Sequence, residues 1–171
     1  DLEDALADSV IDAGGMVVAP GFINMLSWAN VSLLHDGRSM SDVMQGVTLQ
    51  VVGEGTSMGP LTSKMKLEMA DDQGDIKYNI NWTTLGEYLE HLEEKGVSPN
   101  VASFVGNGTL RRYVIGYENR PASDEELEQM KTLARQAMEE GAVGVSSSLI
   151  YAPSAYANTN ELIELAGIAS E

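Results

Sequence analysis

The stretch that decides the fold lies at residues 17–30 and runs Val-Val-Ala-Pro-Gly-Phe-Ile-Asn-Met-Leu-Ser-Trp-Ala-Asn. Pro20 has no N–H for a strand ladder and Gly21 has no side chain to pack, so this pair does not belong inside a central strand. One strand therefore ends at Ala19, and a second is predicted over residues 21–28. The second run is mostly apolar on both faces, which is typical of a strand in a buried parallel sheet.

Small polar side chains lie in the last part of this predicted strand and just after it, at Asn24, Ser27 and Asn30. Parallel α/β sheets place their ligand sites at the C-terminal ends of their strands. We therefore expect a functional site at this end of the sheet.

The rest of the chain alternates between strand-like and helix-like segments. Further strands are predicted over residues 47–52, 100–105 and 142–151, and helices begin after Ser39, Thr84 and Ser123 and at Thr159. Capping boxes are predicted where Ser39 precedes Asp42 and where Ser123 precedes Glu126. In the last helix, the face predicted to point inward carries Leu162, Ile163, Leu165 and Ala166. This alternation predicts a parallel sheet covered by helices.

About four such strand-helix units would make half of an eight-stranded barrel, and a half barrel leaves two strand edges open. We expect the remaining half of the barrel, or a homo-oligomer partner, to cover them. Two features lie outside the repeats. A hairpin is predicted around Gly14-Gly15, and the connection over residues 60–82, with a short helix at 63–70, is long enough to suggest a lid or an insertion.

Composition limits the function classes. The chain has 171 residues and a mass of 18.3 kDa, with 43% apolar and 21% charged residues, as in globular proteins. Its formal net charge of −16 disfavours nucleic acid and anionic membranes as partners, since both attract basic surfaces. Cysteine is absent, which excludes disulfides and thiolate chemistry, and no apolar run approaches the ~20 residues of a membrane span.

The two ends of the sequence suggest a fragment. The chain begins with Asp1 rather than Met and stops inside a helical pattern at Glu171. We therefore expect it to be a piece of a longer protein, and the compartment, cytoplasmic or periplasmic, stays open.

Three segments resemble a known family. Residues 10–24, Val-Ile-Asp-Ala-Gly-Gly-Met-Val-Val-Ala-Pro-Gly-Phe-Ile-Asn, resemble the passage that enters the first barrel strand of amidohydrolase-superfamily enzymes. Residues 141–153, with Tyr156-Ala and Glu161-Leu162, are similar to the N-acyl-D-amino-acid deacylase (D-aminoacylase) branch, as is the turn from Gly106 to Arg111. The resemblance covers roughly residues 10–169. It implies that residues 20–171 form the first half of a (β/α)8 barrel and that residues 1–19 are the end of a small β-domain with its entry strand.

The chain departs from the family pattern where that family binds metal. Leu26 and Trp28 stand where the family usually has a His-x-His pair. The turn that often carries a metal-binding Cys has Glu54 and Gly55, and Asn107 stands in a His position. The resemblance therefore implies one divalent metal, with zinc expected, in the complete protein, held mainly by residues outside this chain. No metal is expected to be held by this segment alone.

The strand-end rule and the resemblance select nearly the same candidate site residues. Glu54 is the candidate catalytic residue, as metal ligand or general base, against the alternative of a loop carboxylate bound to backbone amides. The substrate-pocket candidates are Leu26, Ser27, Trp28, Asn107 and Tyr151. Trp28 is also compatible with a core position and Tyr151 with a packed aromatic. The two histidines, His35 and His91, are too far apart in sequence to form a ligand motif.

Three functions remain open from the sequence. The resemblance implies hydrolysis of the amide bond of N-acyl-D-amino acids or related small amides by a metal-activated water in the complete protein. The missing histidines favour the alternative of an inactive barrel that serves as a binding or structural protein. A minor alternative is a serine hydrolase, since Gly55-Thr-Ser57-Met-Gly59 fits a nucleophile elbow, although only His91 follows it in the right chain order.

Overall fold

The computed structural model describes residues 7–171. The strands are β1 (Phe22–Asn24), β2 (Val47–Val52), β3 (Asn100–Ser103), β4 (Val105–Gly106) and β5 (Val145–Ser146). The helices are α1 (Ser32–His35), α2 (Met40–Val43), α3 (Ser63–Asp71), α4 (Leu85–Lys95), α5 (Asn107–Val114), α6 (Asp124–Glu139) and α7 (Thr159–Ile168), with a 3-10 turn at Ser154–Tyr156.

All strand pairs are parallel. β2 lies between β1 and β3, and β4 pairs with β5. The chain changes partner at Phe104, whose N–H donates to Val52 O at 2.9 Å, whereas the next residue, Val105, donates to Gly144 O at 3.0 Å. The two ladders therefore form one continuous sheet surface, and the predicted parallel α/β architecture is confirmed.

Two of the longer helices, α4 and α6, begin where the sequence predicts a cap. Thr84 caps α4 and Ser123 caps α6, and in both capping boxes the side-chain and backbone bonds are reciprocal. Along α6, Met130, Ala134 and Ala137 are buried, as the 3.6-residue period requires. These side chains belong to one core between the helices and the sheet.

An aromatic cluster lies at the centre of that core. Trp82 stacks on Tyr78 with ring centroids 6.4 Å apart and contacts Tyr88 at 5.3 Å and His91 at 5.4 Å. The Trp82 indole donates to Met58 O at 2.7 Å, and the Tyr88 hydroxyl donates to Asn30 O at 2.9 Å. The cluster thereby ties the loops after β1 and β2 to α4, and His91 is one of its packed members.

Two predicted strand segments are shorter than expected. The strand predicted over residues 21–28 ends at Asn24, because the Asn24 side chain accepts a hydrogen bond from Leu26 N at 3.3 Å and starts a turn. The strand predicted over residues 142–151 is confined to β5, and residues 149–152 form a turn. The second turn is closed by a backbone bond, in which Tyr151 N donates to Ser148 O at 3.0 Å.

The predicted hairpin around Gly14-Gly15 is wrong. Met16 N donates to Ala13 O at 2.8 Å, so the turn forms, but no strand flanks it within residues 7–21. Val10, Ile11, Val17 and Val18 are all exposed. A two-stranded ribbon without a packing surface is marginal, which accounts for the missing strands.

Three helical predictions also need correction. Ser39 lies at φ +46° and makes no side-chain cap bond, so the predicted capping box with Asp42 is absent and α2 is a single turn. Ile163 and Ala166 of α7 are exposed rather than inward. The segment from Gly106 to Arg111, described above as a turn, is helical from Asn107 onward and opens α5.

Candidate functional site

A cavity of about 170 Å³ lies at the C-terminal ends of the strands. Trp28 follows β1, Glu54 follows β2 and Tyr151 follows β5, and all three line it. The rest of the wall is formed by Gly55, Thr56, Ser148, Ala152 and Ser154. Parallel strands bring residues that are distant in sequence to the same edge, which is why these three predicted residues meet.

Glu54 lies at the tip of a tight turn between two glycines. Gly53 has φ +92° and Gly55 has φ +66°, backbone conformations that favour glycine. A Cβ at Gly55 would lie 2.3 Å from the Ser148 Cβ, so the turn packs directly on the segment after β5. A cysteine side chain is therefore sterically excluded at Gly55, and Glu54 supplies the carboxylate of the cavity wall.

The Glu54 carboxylate has no hydrogen-bond or ion-pair partner within residues 7–171, and the residue is half-buried. Its own backbone carbonyl accepts from Thr56 N at 2.6 Å, which closes the turn. The alternative of a carboxylate bound to loop amides is thus not what the structure contains. The carboxylate oxygens are available to a ligand, a metal ion or a water molecule.

Ser27 points away from the cavity. Its buried hydroxyl donates to Gln50 Oε1 at 2.5 Å and accepts from Ala29 N at 3.1 Å. The Gln50 amide donates in turn to the Ser39 hydroxyl at 2.6 Å. This chain of hydrogen bonds holds the loop that carries Trp28. Ser27 therefore stabilises the cavity wall without lining the cavity.

Leu26 and Asn107 do not line the cavity either. Leu26 is 55% exposed. Asn107 is fully buried at the start of α5, beneath the turn that carries Glu54, since a Cβ on neighbouring Gly106 would lie 2.4 Å from Gly55 O. The site predicted from the sequence is therefore divided between cavity-lining and supporting residues.

A buried ion pair joins two of the segments that carry the family resemblance. Arg111 Nη1 lies 2.5 Å from Glu161 Oε2, with side-chain exposures of 0% and 2%. Arg111 also donates to Arg120 O at 2.7 Å. Burial raises the pKa of the Glu161 carboxyl, and the Arg111 charge opposes that shift. The sequence showed these residues only as parts of motifs; their pairing across 50 positions had no local signal.

Metal ligands are few in the described part of the chain. Leu26 and Trp28 offer no donor atom, His91 packs on Trp82, and His35 is exposed. Within residues 7–171, no three His, Cys, Asp or Glu side chains lie close enough to share an ion. A zinc site takes about three protein ligands, and the cavity provides one, Glu54. These residues by themselves do not make a complete metal centre.

The serine-hydrolase geometry is absent around Ser57. Its hydroxyl donates to Gly59 O at 2.6 Å and accepts from Gly106 N at 3.1 Å, and the residue is buried. His91 is held in the aromatic cluster, and α3 begins only at Ser63. Ser57 therefore anchors its loop to β4.

Among the helices of residues 7–171, none combines the length and the apolar character that crossing a bilayer requires.

Comparison with known proteins identifies relatives along nearly the whole chain, although no protein-family model matches it. A D-aminoacylase of Alcaligenes xylosoxydans xylosoxydans is 37% identical over 169 residues, which are 96% of this chain and 34% of that protein. A solved D-aminoacylase structure, described for its binuclear metal centre, superposes with a TM-score of 0.81 at 34% identity, covering 97% of this chain and 35% of its own.

A second solved structure extends the comparison. It is the N-acyl-D-glutamate deacylase of Bordetella bronchiseptica, with zinc and a phosphonate inhibitor, and it gives a TM-score of 0.75 at 27% identity over 88% of this chain and 32% of its own. The chain thus spans about a third of the length of these relatives. By sequence and by fold, it is a homologue of the D-aminoacylases, or N-acyl-D-amino-acid deacylases, which are amidohydrolases.

Proposed function

We propose that the whole protein hydrolyses the amide bond of small N-acyl-D-amino acids and that residues 7–171 supply one wall of its active site. The observation that carries this proposal is the unpaired Glu54 carboxylate in a cavity at the strand ends of a D-aminoacylase-like sheet. Trp28 and Tyr151 give the same cavity an aromatic wall, which suits an organic acyl or side-chain group.

The fold part of the proposal is that residues 20–171 are the first half of a (β/α)8 barrel and residues 1–19 the end of a small β-domain. Residues 1–6 lie outside the described residues. Among residues 7–171, β1 and β5 each pair on one side only. Phe22 of β1 is exposed, and Ile150, four residues after β5, is 82% exposed. The remaining half of the barrel, or a homo-oligomer partner, would pair both edges and bury these side chains.

The cofactor part of the proposal is one divalent metal, with zinc expected, whose other ligands come from residues outside this chain. A bound divalent metal would supply Lewis-acid activation of the attacking water. Leu26 and Trp28 stand where the family usually has a metal-binding His-x-His pair. We therefore infer that a second ion would lack its ligands. Glu54 is the candidate catalytic residue of this chain, since its carboxylate can ligate the metal or accept a proton from the water.

The test uses the full-length protein with N-acetyl-D-methionine and its L-enantiomer as substrates and measures metal content by elemental analysis. We expect turnover of the D-enantiomer, about one metal per chain, and a loss of about 10²- to 10⁴-fold in kcat for Glu54→Gln. Glu94→Gln on the exposed side of α4 is the matched control and should retain parental kcat. Parental activity in Glu54→Gln would contradict the assigned role of Glu54.

The substitutions at Leu26 and Trp28 favour a second candidate, a barrel that binds an N-acylated ligand without hydrolysing it. In that case the full-length protein would show no metal and no turnover, yet N-acetyl-D-methionine would bind saturably in calorimetry. Metal-dependent turnover would exclude this candidate.

A further inference from the structure

One hydroxyl group contacts the backbone on both sides of Glu54. The Ser146 Oγ donates to Gly53 O at 2.6 Å and accepts from Gly55 N at 3.0 Å. Gly53 O precedes the Glu54 residue and Gly55 N follows it, so the two bonds span the turn. The bonds connect segments 93 and 91 positions apart in the sequence.

The register of the sheet directs Ser146 toward this turn. In β5, Val145 packs against the hydrophobic core, and Ser146 therefore faces the opposite side of the strand. Ser146 pairs with Gly106 of β4, and a Cβ at Gly106 would lie 2.4 Å from Gly55 O. The small residue at 106 leaves room for the turn to reach the Ser146 hydroxyl.

The two glycines make the double contact possible. A side chain at either position would push the turn away from its neighbours, since a Cβ at Gly53 would lie 2.4 Å from Phe104 O and one at Gly55 would lie 2.3 Å from the Ser148 Cβ. The Glu54 side chain makes no hydrogen bond of its own within the described residues. Its position in the cavity therefore depends on how firmly the flanking peptide groups are held.

We propose that Ser146 is a positioning residue that fixes the turn of Glu54 and so aims the Glu54 carboxylate into the cavity at the strand ends. Its effect on turnover rests on the proposed function, whereas its effect on the turn does not. Groups that orient a ligand or a catalytic carboxylate from behind typically contribute about 10- to 100-fold in activity or metal affinity.

The experiment compares Ser146→Ala, Ser146→Thr and Ser147→Ala in the full-length protein. Ser147 is the exposed neighbour of Ser146 and serves as the matched control. Hydrogen-deuterium exchange of the peptide that covers residues 53–57 reports on the turn. The kcat and KM for N-acetyl-D-methionine report on the carboxylate.

For Ser146→Ala we expect exchange at least about tenfold faster at the Gly55 amide, because its acceptor is lost. We also expect a 10- to 100-fold lower kcat with KM changed less than about threefold. Ser146→Thr keeps the hydroxyl and should restore slow exchange and most of kcat, and Ser147→Ala should match the parent.

Exchange in Ser146→Ala equal to that in Ser147→Ala would overturn the proposal, as would a Thr variant that is as impaired as the Ala variant. A parent protein without turnover would count against the proposed function alone, since the exchange measurement decides on Ser146 independently.

Discussion

At the scale of single residues, the backbone conformation at Gly55 decides which side chains the turn beside the cavity can carry. Gly55 has φ +66° and packs directly on Ser148, so the backbone leaves no room for any side chain at this position. The neighbouring Glu54 therefore provides the ionisable group.

Substitution of Gly55 by Cys should destabilise the full-length protein by about 1–3 kcal/mol, because it combines a strained φ with a steric overlap. It should add no metal ion. Chemical denaturation and elemental analysis measure the two effects. Gly74→Ala is the control, since a Cβ at Gly74 meets nothing within 4 Å. A Gly55→Cys protein of parental stability that gains one metal would contradict this steric explanation.

Ser27 illustrates why residue-level prediction of the site was incomplete. Its position near the C-terminal end of the strand predicted over residues 21–28 suggested a cavity-facing hydroxyl. The strand ends three residues earlier, at Asn24, and Ser27 turns toward Gln50. The prediction extended the strand's alternating side-chain directions beyond Asn24, where the strand actually ends, and so gave Ser27 the wrong direction.

At the scale of elements, a buried ion pair joins α5 to α7. Arg111 and Glu161 are almost completely enclosed, so each charge depends on the other for compensation. Replacing one partner leaves the other charge buried and unpaired.

Arg111→Met should therefore cost about 3–5 kcal/mol of stability, and the double variant Arg111→Met/Glu161→Leu should recover much of it. Urea denaturation of the full-length protein measures both. Lys64→Ala, which removes the exposed ion pair with Glu68, should change stability by less than about 1 kcal/mol. A single Arg111 variant as stable as the parent would show that the pair is not coupled.

The carboxylate of Glu126 at the start of α6 should make the stability of the fold depend on pH in the acid range. Hydrogen bonds from the Arg120 guanidinium and from Ser123 N lower the pKa of Glu126 from 4.5 to about 2. Because the folded-state pKa is the lower one, this stabilisation is present above pH 4.5 and is lost as the pH falls toward 2.

Glu126→Gln should remove this contribution to the pH dependence of the unfolding free energy. Between pH 2 and pH 4.5 it should reduce the proton uptake on unfolding by up to about one proton. Denaturation midpoints measured between these pH values test it. Glu128→Gln, on an exposed residue of the same helix, is the control. Unchanged pH dependence in Glu126→Gln would contradict the assigned pKa.

At the scale of the whole molecule, the exposed edges are the main consequence of the fold. β1 and β5 lack a second partner within the described residues, and Ile150 beside β5 is 82% exposed. Apolar side chains next to unpaired strands promote association.

The 171-residue chain by itself should consequently self-associate, and Ile150→Lys should reduce the associated fraction. Light scattering coupled to size-exclusion chromatography measures this. Ile163→Lys on α7, 61% exposed but away from the strand edges, should leave association unchanged. A chain that remains monomeric at all accessible concentrations would contradict the importance of these edges.

The sequence by itself determined the elements whose signals are local. The alternation of apolar runs with capped helices predicted the parallel α/β architecture, and the Ser123 and Thr84 caps start α6 and α4 as predicted. The same local patterns could not decide where β1 stops, since that depends on one side-chain bond of Asn24.

Tertiary structure decided which of the predicted site residues line the cavity and which lie behind it. Glu54, Trp28 and Tyr151 share a cavity, whereas Ser27 and Asn107 lie behind it. Ser146 reaches the Glu54 turn and Arg111 reaches Glu161 across long stretches of chain. The physical reason is that the apolar periodicity of a segment depends only on which of its faces is buried. Contacts between distant segments depend on strand register, strand length and the packing of the whole sheet.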